Sequence, residues 1–231
     1  MRWLHPVRGL LYPLSFLPVV EQTDLMRPLT LSVLESALGQ AAAWRKEGLE
    51  IPVAVNLSTP NLLDVGFPGD IDLLLRRFGL EPACLELEVT ERIMDPDPGR
   101  IAEVLTEISS RGVRLALDDF GTGASSLSHL RELPVQGLKI DKSFVAGLSG
   151  PHPEHAAVLV RSITALANNL GLRVVAEGIE THDQLDQITA LGAHVGQGYL
   201  ISRPLRATDF GAWLKQRQTR LAVVGSDLRL A

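Results

Sequence analysis

Residues 113–118 have the sequence VRLALD, in which the side chains alternate between two faces. Val113, Leu115 and Leu117 form an apolar face, whereas Arg114 and Asp118 lie on the opposite face, as in a β-strand. Similar strand patterns occur at 51–56 (IPVAVN), 84–89 (CLELEV), 136–140 (QGLKI), 172–177 (LRVVAE) and, more weakly, 195–200 (VGQGYL). Helical patterns precede, separate and follow them, at 29–47, 71–78, 99–111, 124–130, 153–169, 182–191 and 208–216. This alternation predicts a parallel β/α architecture.

The polar faces of the predicted strands end in side chains that can do chemistry: Asn56, Glu88, Asp118, Lys139 and Glu177. A single acid at a strand end is more often a helix cap or a solvated loop residue, but a whole set in register is hard to explain in that way. In a parallel barrel the C-terminal layer of the inward face lines the active-site mouth, so we expect the set to converge there. Glu86 and Arg114 lie one layer deeper and are predicted to form a structural ion pair.

The predicted cluster supplies carboxylate and amide oxygens, and neither histidine nor thiolate belongs to it. Such ligands favour Mg²⁺ or Mn²⁺ over zinc, and a cation would neutralise acids that are costly to bury as bare charges. The adjacent Asp118 and Asp119 could hold or bridge two ions. Two-metal sites suit the hydrolysis of phosphate esters because they position and deprotonate a water. Lys139 could orient that water or the developing oxyanion, so the residues predict phosphodiester hydrolysis.

Composition narrows the other classes of function. The 231 residues carry a net charge of −5 without a basic run, which argues against binding to a nucleic-acid polymer. Cys84 is the lone cysteine, so no internal disulfide is expected and a reducing cytoplasm fits. The apolar stretch 9–20 contains Pro13 and Pro18 and is too short to span a bilayer, so we interpret it as part of the fold.

A series of motifs resembles a known family. The motifs are VNLS at 55–58, ELEVTE at 86–91, DDFGTGASSL at 118–127, LKIDKSF at 138–144, VVAEGIE at 174–180 and QGYLISRP at 197–204. Together they are similar to the signature motifs of EAL-domain phosphodiesterases, in family order. The resemblance implies a TIM-like (β/α)8 barrel of the EAL type. It also implies metal-dependent hydrolysis of cyclic di-GMP to linear pGpG, a reaction of bacterial second-messenger signalling.

The matching positions imply roles for individual residues. By resemblance, two Mg²⁺ or Mn²⁺ ions would have ligands at Asn56, Glu88, Asp118 and Asp119. Lys139 and Glu177 would help to place the catalytic water and the second metal. Glu91 would anchor the loop that follows Asp119, which in such enzymes couples dimerisation to activity, so a homodimer is implied. Arg2 and Gln197 look like substrate contacts.

The sequence departs from the family pattern in three places. Ala124 stands where an aromatic residue is common, and Ile201 replaces the usual phenylalanine. RWLHP at 2–6 resembles the residues that directly follow the E-A-L triplet, so the triplet and its metal-ligating glutamate are absent, together with strand one and most of strand two. Residues 1–217 are therefore assigned to an EAL domain that is incomplete at its N-terminus, and residues 218–231 to a C-terminal tail.

Two interpretations remain open at this point. The chain is either part of an enzyme that continues upstream, where sensory or GGDEF domains often accompany EAL domains, or a truncated module. Such a module would sense cyclic di-GMP or contact a partner protein without catalysis. The reading frame upstream of Met1 distinguishes them, since codons for an E-A-L or E-V-L triplet favour the enzyme and a stop codon favours the module.

The resemblance predicts very low phosphodiesterase activity for the chain that starts at Met1. An open barrel loses strand pairing, and a two-metal site without one anionic ligand binds metal weakly. A metal-dependent turnover assay on this chain tests the prediction, and a hydrolysis rate normal for the family would contradict it.

Overall fold

A computed structural model describes residues 1–90, 93, 97–122, 130, 133–224 and 229–230, with side chains described as far as residue 217. The chain divides into two compact units. The first comprises Met1–Val89 and Ile93–Arg114, and the second comprises Thr90–Arg92 and Leu115–Ala231. Within these described ranges, no helix has both the length and the apolar character needed to cross a membrane.

The first unit packs helices against a pair of parallel strands. It opens with an antiparallel hairpin of β1 (Trp3–His5) and β2 (Gly9–Leu11), followed by a 3-10 turn at Pro13–Ser15 and α1 (Leu17–Val20). The remaining elements are α2 (Met26–Lys46), β3 (Val53–Asn56), α3 (Thr59–Leu62), α4 (Phe67–Phe78), a 3-10 turn at Pro82–Cys84, β4 (Leu85–Thr90) and α5 (Pro98–Ser110). β3 and β4 run parallel, as predicted for consecutive strands joined through helices.

Helix α2 shows why these residues form a core. Its buried residues recur every three or four positions and therefore share one face of the helix: Met26, Thr30, Leu34, Leu38 and Ala41. Leu34 and Leu38 are fully enclosed, as are Phe67 and Ile71 on the facing side of α4. Thr30 is the polar member of this otherwise apolar face.

The second unit is a run of parallel strands joined by helices. Its elements are β5 (Arg114–Phe120), β6 (Gly137–Ile140), α6 (Lys142–Gly147), α7 (Pro153–Asn169), β7 (Arg173–Ala176), α8 (His182–Ala190), β8 (Val195–Gly196), α9 (Ala207–Val224) and β9 (Arg229–Leu230). Each strand from β5 to β9 pairs in parallel with the next one. The strands are apolar on the covered side, and Leu138, Ile140, Val174 and Ala176 are completely buried.

The structure confirms the predicted α/β architecture, since a strand occurs within each predicted range and the strands pair in parallel within each unit. The weaker candidate at 195–200 is a strand only at Val195–Gly196. The N-terminal hairpin was not expected. It forms around His5, whose Nδ1 accepts hydrogen bonds from the backbone N–H groups of Val7 and Arg8 at 3.1 Å each. At the other end, α9 continues to Val224, beyond residue 217, the predicted boundary of the domain. Most of the helix predicted at 124–130 lies outside the described residues.

Two glycines in the second unit allow the backbone to approach other chain segments closely. Gly178 has φ +75°, and a Cβ at this position would lie 2.4 Å from Cβ of Lys142. A Cβ on Gly198 would lie 2.1 Å from the carbonyl oxygen of Ile179, which is a contact with rigid backbone. Both glycines belong to motifs that the resemblance singled out, and the structure supplies the steric reason for each.

We expect Gly198→Ala to destabilise the protein by about 1–3 kcal/mol or more, because the new methyl group cannot avoid the Ile179 backbone. Urea unfolding followed by circular dichroism measures the change. Gly69→Ala is the matched control, since Gly69 lies inside α4 and a Cβ there meets nothing within 4 Å. Alanine favours helices by up to about 1 kcal/mol over glycine, so the control should be neutral or stabilising. Equal effects of the two substitutions would contradict the steric explanation.

Candidate metal centre

Asn56 and Glu88 end neighbouring strands of the first unit. The register of β3 and β4 places the two residues directly opposite each other. Nδ2 of Asn56 donates a 3.1 Å hydrogen bond to Oε2 of Glu88, which is only 8% exposed. Because the nitrogen of the amide faces the carboxylate, Oδ1 is the Asn56 atom that could coordinate a cation. The first unit therefore presents an oriented amide and a buried carboxylate side by side.

Asp118 and Asp119 lie at an irregularity near the end of β5, in the second unit. The pairing of β5 with β6 shifts register between Leu117 and Phe120. Asp119 has φ +54°, a left-handed conformation that no other described non-glycine residue adopts. Consecutive side chains of a regular strand point to opposite faces, and the irregularity removes that constraint. The N–H of Asp119 donates to Oδ1 of Asp118 at 3.0 Å.

Lys139 is 5% exposed. It belongs to a polar cluster of the second unit that also contains Asp118, Asp119 and Glu177. Its Nζ lies 3.2 Å from Oδ1 of Asp118 and 2.6 Å from Oε1 of Glu177. The pairing of β6 with β7 continues past the strand, since the N–H of Glu177 donates to the carbonyl oxygen of Ile140 at 3.1 Å. This backbone bond positions Glu177 beside the end of β6, within reach of Lys139.

The electrostatics of the cluster favour a bound cation. Burial raises the pKa of the Asp119 carboxyl, and the negative charges of Asp118 and Asp141 raise it further. Burial also raises the pKa of Glu177, with smaller contributions from Asp118 and Asp119, while the hydrogen bond and charge of Lys139 oppose the rise. Burial is the main cause of both rises, and a bound cation would stabilise the ionised carboxylates against it.

The donor atoms of the second unit fit a hard divalent cation. One carboxylate oxygen from each of Asp118, Asp119 and Glu177 can be chosen so that all lie within 4.8 Å of one another. Oxygen ligands at such separations suit Mg²⁺, Mn²⁺ or Ca²⁺, and a cation among them would stabilise the two carboxylates whose pKa values are raised mainly by burial. In the first unit, Glu88 and Oδ1 of Asn56 are donors of the same chemical type.

The two residues that look like substrate contacts have different surroundings. The guanidinium of Arg2, in the first unit, lies 5.1 Å from the centre of the Tyr12 ring. Gln197, in the second unit, follows β8, and its N–H donates to the carbonyl oxygen of Ala176 at 2.8 Å. Its own carbonyl accepts from the N–H of Ile179 at 3.0 Å, which leaves the exposed side chain at the end of β7 and β8.

Other sequence predictions have separate outcomes. Glu86 and Arg114 form the predicted ion pair in the first unit, with 3.9 Å between Oε2 and Nε. Glu91, the predicted loop anchor, lies outside the described residues, as does the greater part of the loop that it would hold. A second group of possible ligands lies at the start of α7 and is exposed to solvent: His152, Glu154 and His155.

Sequence reasoning assigned no role to Asp141, although the alternation in LKID places it on the same strand face as Lys139. The structure shows that it caps α6, since its Oδ1 accepts from the N–H of Ser143 at 2.9 Å. The negative charge of Asp141 also contributes to the raised pKa of Asp119. Its position in the same motif as Lys139 was the signal that could have drawn attention to it.

Comparison with known proteins identifies relatives that share most of this chain. The chain is 38% identical over 216 residues to a cyclic di-GMP phosphodiesterase of Pseudomonas aeruginosa, an alignment that covers 94% of this chain and 36% of that protein. It is 40% identical over 208 residues to the bifunctional diguanylate cyclase/cyclic di-GMP phosphodiesterase MucR of the same species, covering 90% of this chain and 30% of MucR. The chain thus spans about a third of the length of these relatives.

A solved structure agrees with these sequence comparisons. The PaMucR phosphodiesterase in its c-di-GMP complex matches with a TM-score of 0.84 and 40% identity, over 90% of this chain and 84% of that one. The match confirms the predicted α/β, TIM-like fold class of the EAL type. The family model described as "EAL domain" matches residues 1–204 of the 231. This chain belongs to the EAL domain family.

Proposed function

We propose that this chain is the part of a bacterial signalling protein that hydrolyses one phosphodiester bond of cyclic di-GMP and releases linear pGpG. The observation that carries the proposal is the cluster of Asp118, Asp119, Glu177 and Lys139, in a chain that matches the EAL family over most of its length. Relatives named as cyclic di-GMP phosphodiesterases supply the substrate. The low net charge and the absence of a basic run support a small nucleotide substrate over a nucleic-acid polymer.

The proposed cofactor is a pair of Mg²⁺ or Mn²⁺ ions, with ligands at Asn56, Glu88, Asp118 and Asp119. When bound, such ions activate a water and stabilise charge on the phosphoryl oxygens. The donor set supports this choice, because it contains carboxylates and an amide oxygen, which magnesium and manganese prefer over zinc. The raised pKa values of Asp119 and Glu177 add support, since they mark carboxylates that a cation would stabilise.

The chain's own residues have distinct proposed roles in the reaction. Glu177 accepts a hydrogen bond from Lys139 and would orient the attacking water as a further acceptor. The buried ammonium of Lys139 would stabilise negative charge as it develops on the phosphoryl group, because buried charges interact more strongly than exposed ones. Arg2 and Gln197 would contact the substrate.

The proposal also covers the loop after Asp119, the oligomeric state and the location of the protein. Glu91 would anchor the loop that follows Asp119, and the protein would work as a homodimer through that loop. A cytoplasmic location agrees with a nucleotide substrate and with a single cysteine, Cys84. 

The proposed activity predicts metal-dependent conversion of cyclic di-GMP to a linear product. Asp118→Asn should lower the rate by about 100-fold or more, the scale for losing electrostatic stabilisation of a reacting group. Separation of the cyclic and linear nucleotides by chromatography, with and without Mn²⁺, measures both effects.

Asp186→Asn is the matched control, because Asp186 is an exposed acid on α8 and should leave the rate unchanged. Calorimetry with cyclic di-GMP in Ca²⁺ separates binding from turnover. Binding without any metal-dependent product would overturn the enzyme proposal and indicate a non-catalytic module.

Asp119→Asn should raise the stability of the metal-free protein at neutral pH. The folded-state pKa of Asp119 lies above its ordinary value, so the folded protein becomes less stable as the carboxyl ionises, and asparagine removes that penalty. Asparagine also tolerates the left-handed backbone at this position. Thermal unfolding should show an increase in Tm of about 2–4 °C for each kcal/mol of added stability. The increase should vanish at acidic pH, where the Asp119 carboxyl of the wild-type protein is protonated.

Adding Mn²⁺ should reverse the order of stability. Saturating ligand stabilises a protein by about 2.7 kcal/mol at a concentration of 100 times Kd, and wild type should gain more than Asp119→Asn. Asp186→Asn again serves as the control, with an unchanged response to Mn²⁺. An equal Mn²⁺ response in wild type and Asp119→Asn would remove Asp119 from the proposed ligand set.

A further inference from the structure

A buried polar network lies directly behind the end of β3 in the first unit. Asn61, on α3, is completely buried, and Thr30, on the buried face of α2, is 3% exposed. The hydroxyl of Thr30 donates to Oδ1 of Asn61 at 3.2 Å, and the hydroxyl of Ser58 donates to the same oxygen at 3.0 Å. One amide oxygen therefore ties helix α2 to the turn that connects β3 with α3.

The network is adjacent in the chain to Asn56, the amide that faces Glu88. After Asn56, the N–H of Leu57 donates to the carbonyl oxygen of Glu88 at 2.8 Å. The next residue, Ser58, is held by Asn61 twice, through its hydroxyl and through a 3.1 Å bond from the Asn61 N–H to the Ser58 carbonyl. The turn after Asn56 is thus hydrogen-bonded to β4 on one side and to the buried network on the other.

Burying this polar network has an energetic cost. Nδ2 of Asn61 is buried and has no hydrogen-bond partner among the described residues. An unpaired buried donor loses its hydration without compensation, and a leucine at this position would avoid that loss. Oδ1 of the same amide accepts hydrogen bonds from both Thr30 and Ser58, and we interpret the presence of Asn61 by these two bonds.

We propose that Thr30 and Asn61 are positioning residues for Asn56. By fixing Ser58, they hold the end of β3 so that Nδ2 of Asn56 stays on Glu88 and Oδ1 stays available to a divalent cation. Neither residue belongs to the proposed set of metal ligands, so their effect on a cation would act through Asn56. The cation part of this inference rests on the proposed function, whereas the ordering of the turn does not.

The first experiment compares Thr30→Val with Thr30→Ser. Valine keeps the shape of threonine and removes the hydroxyl, whereas serine keeps the hydroxyl. Hydrogen–deuterium exchange should be faster at residues 56–58 in Thr30→Val and close to wild type in Thr30→Ser. Mn²⁺ affinity, measured by calorimetry, should fall by about tenfold in Thr30→Val, the lower end of the range for groups that orient metal ligands.

Thr164→Val is the matched control. Thr164 is also a buried threonine, at 1% exposure, but its hydroxyl donates to the carbonyl oxygen of Val160 in its own helix, at 2.8 Å. The control has the same change of chemistry without a link to Asn56, so exchange at residues 56–58 and Mn²⁺ affinity should match wild type.

Asn61→Leu separates positioning from stability. The substitution removes the unpaired donor but also the acceptor of the Thr30 and Ser58 hydroxyls, so Tm alone does not separate the two roles. In the folded variant, exchange at residues 56–58 should accelerate and Mn²⁺ affinity should fall. A purely structural role would instead leave exchange at residues 56–58 and Mn²⁺ affinity unchanged in the folded protein, whatever the change in Tm, and that result would overturn the proposal.

The two proposals fail in different ways. Wild type that binds no Mn²⁺ would contradict the proposed function, and exchange at residues 56–58 would still test the ordering of the turn. Wild type that binds Mn²⁺, together with unchanged exchange and affinity in both Thr30→Val and Asn61→Leu, would contradict the positioning role alone.

Discussion

Lys139 is a buried ammonium held between two carboxylates, and the polar cluster of the second unit depends on this arrangement. A lysine at 5% exposure is tolerated only when its charge is compensated, and Asp118 and Glu177 compensate it at 3.2 Å and 2.6 Å. The compensation exceeds what one cation needs, because Asp119 adds a further acid. Burial is the main cause of the raised pKa values of Asp119 and Glu177, and the neighbouring carboxylates raise them further. The apolar strands around the cluster provide the stability that allows such an unfavourable charge distribution.

The backbone contributes as much to the cluster as the side chains do. A regular strand would separate Asp118 from Asp119 onto opposite faces, and the register shift in β5 together with the left-handed Asp119 brings their carboxylates near each other. Two glycines also allow the backbone to approach neighbouring segments closely near these strand ends. Gly178 directly follows Glu177 and contacts Lys142, and Gly198 lets the segment after β8 lie against Ile179. Strained or crowded backbone is concentrated at these strand ends, as is common at functional sites.

The first unit follows the same principle with different groups. The parallel register of β3 and β4 places Asn56 opposite Glu88. Because Nδ2 of Asn56 donates to Glu88, Oδ1 is the amide atom that could bind a cation. The turn behind Asn56 is organised by a polar network that includes an unpaired donor on Asn61. In both units, polar groups at strand ends are fixed by neighbours that are themselves buried. Burying these polar groups is unfavourable, and the apolar core of each unit offsets that cost.

Side-chain alternation in the sequence predicted the α/β class and most of the strand positions, and it singled out the residues of the candidate site. Alternation with a period of two residues assigns a face to each side chain, so VRLALD and CLELEV already separate Asp118 and Glu88 from their apolar neighbours. Other features appear only in the folded chain: the contacts of Lys139, the left-handed Asp119, the effect of Asp141 on the pKa of Asp119 and the link from Thr30 to Asn61. These features depend on register, on local departures from regular backbone and on residues distant in sequence, such as Thr30 and Asn61. A periodic pattern carries no information about any of them, because it assumes a regular strand and does not specify which segments pack together.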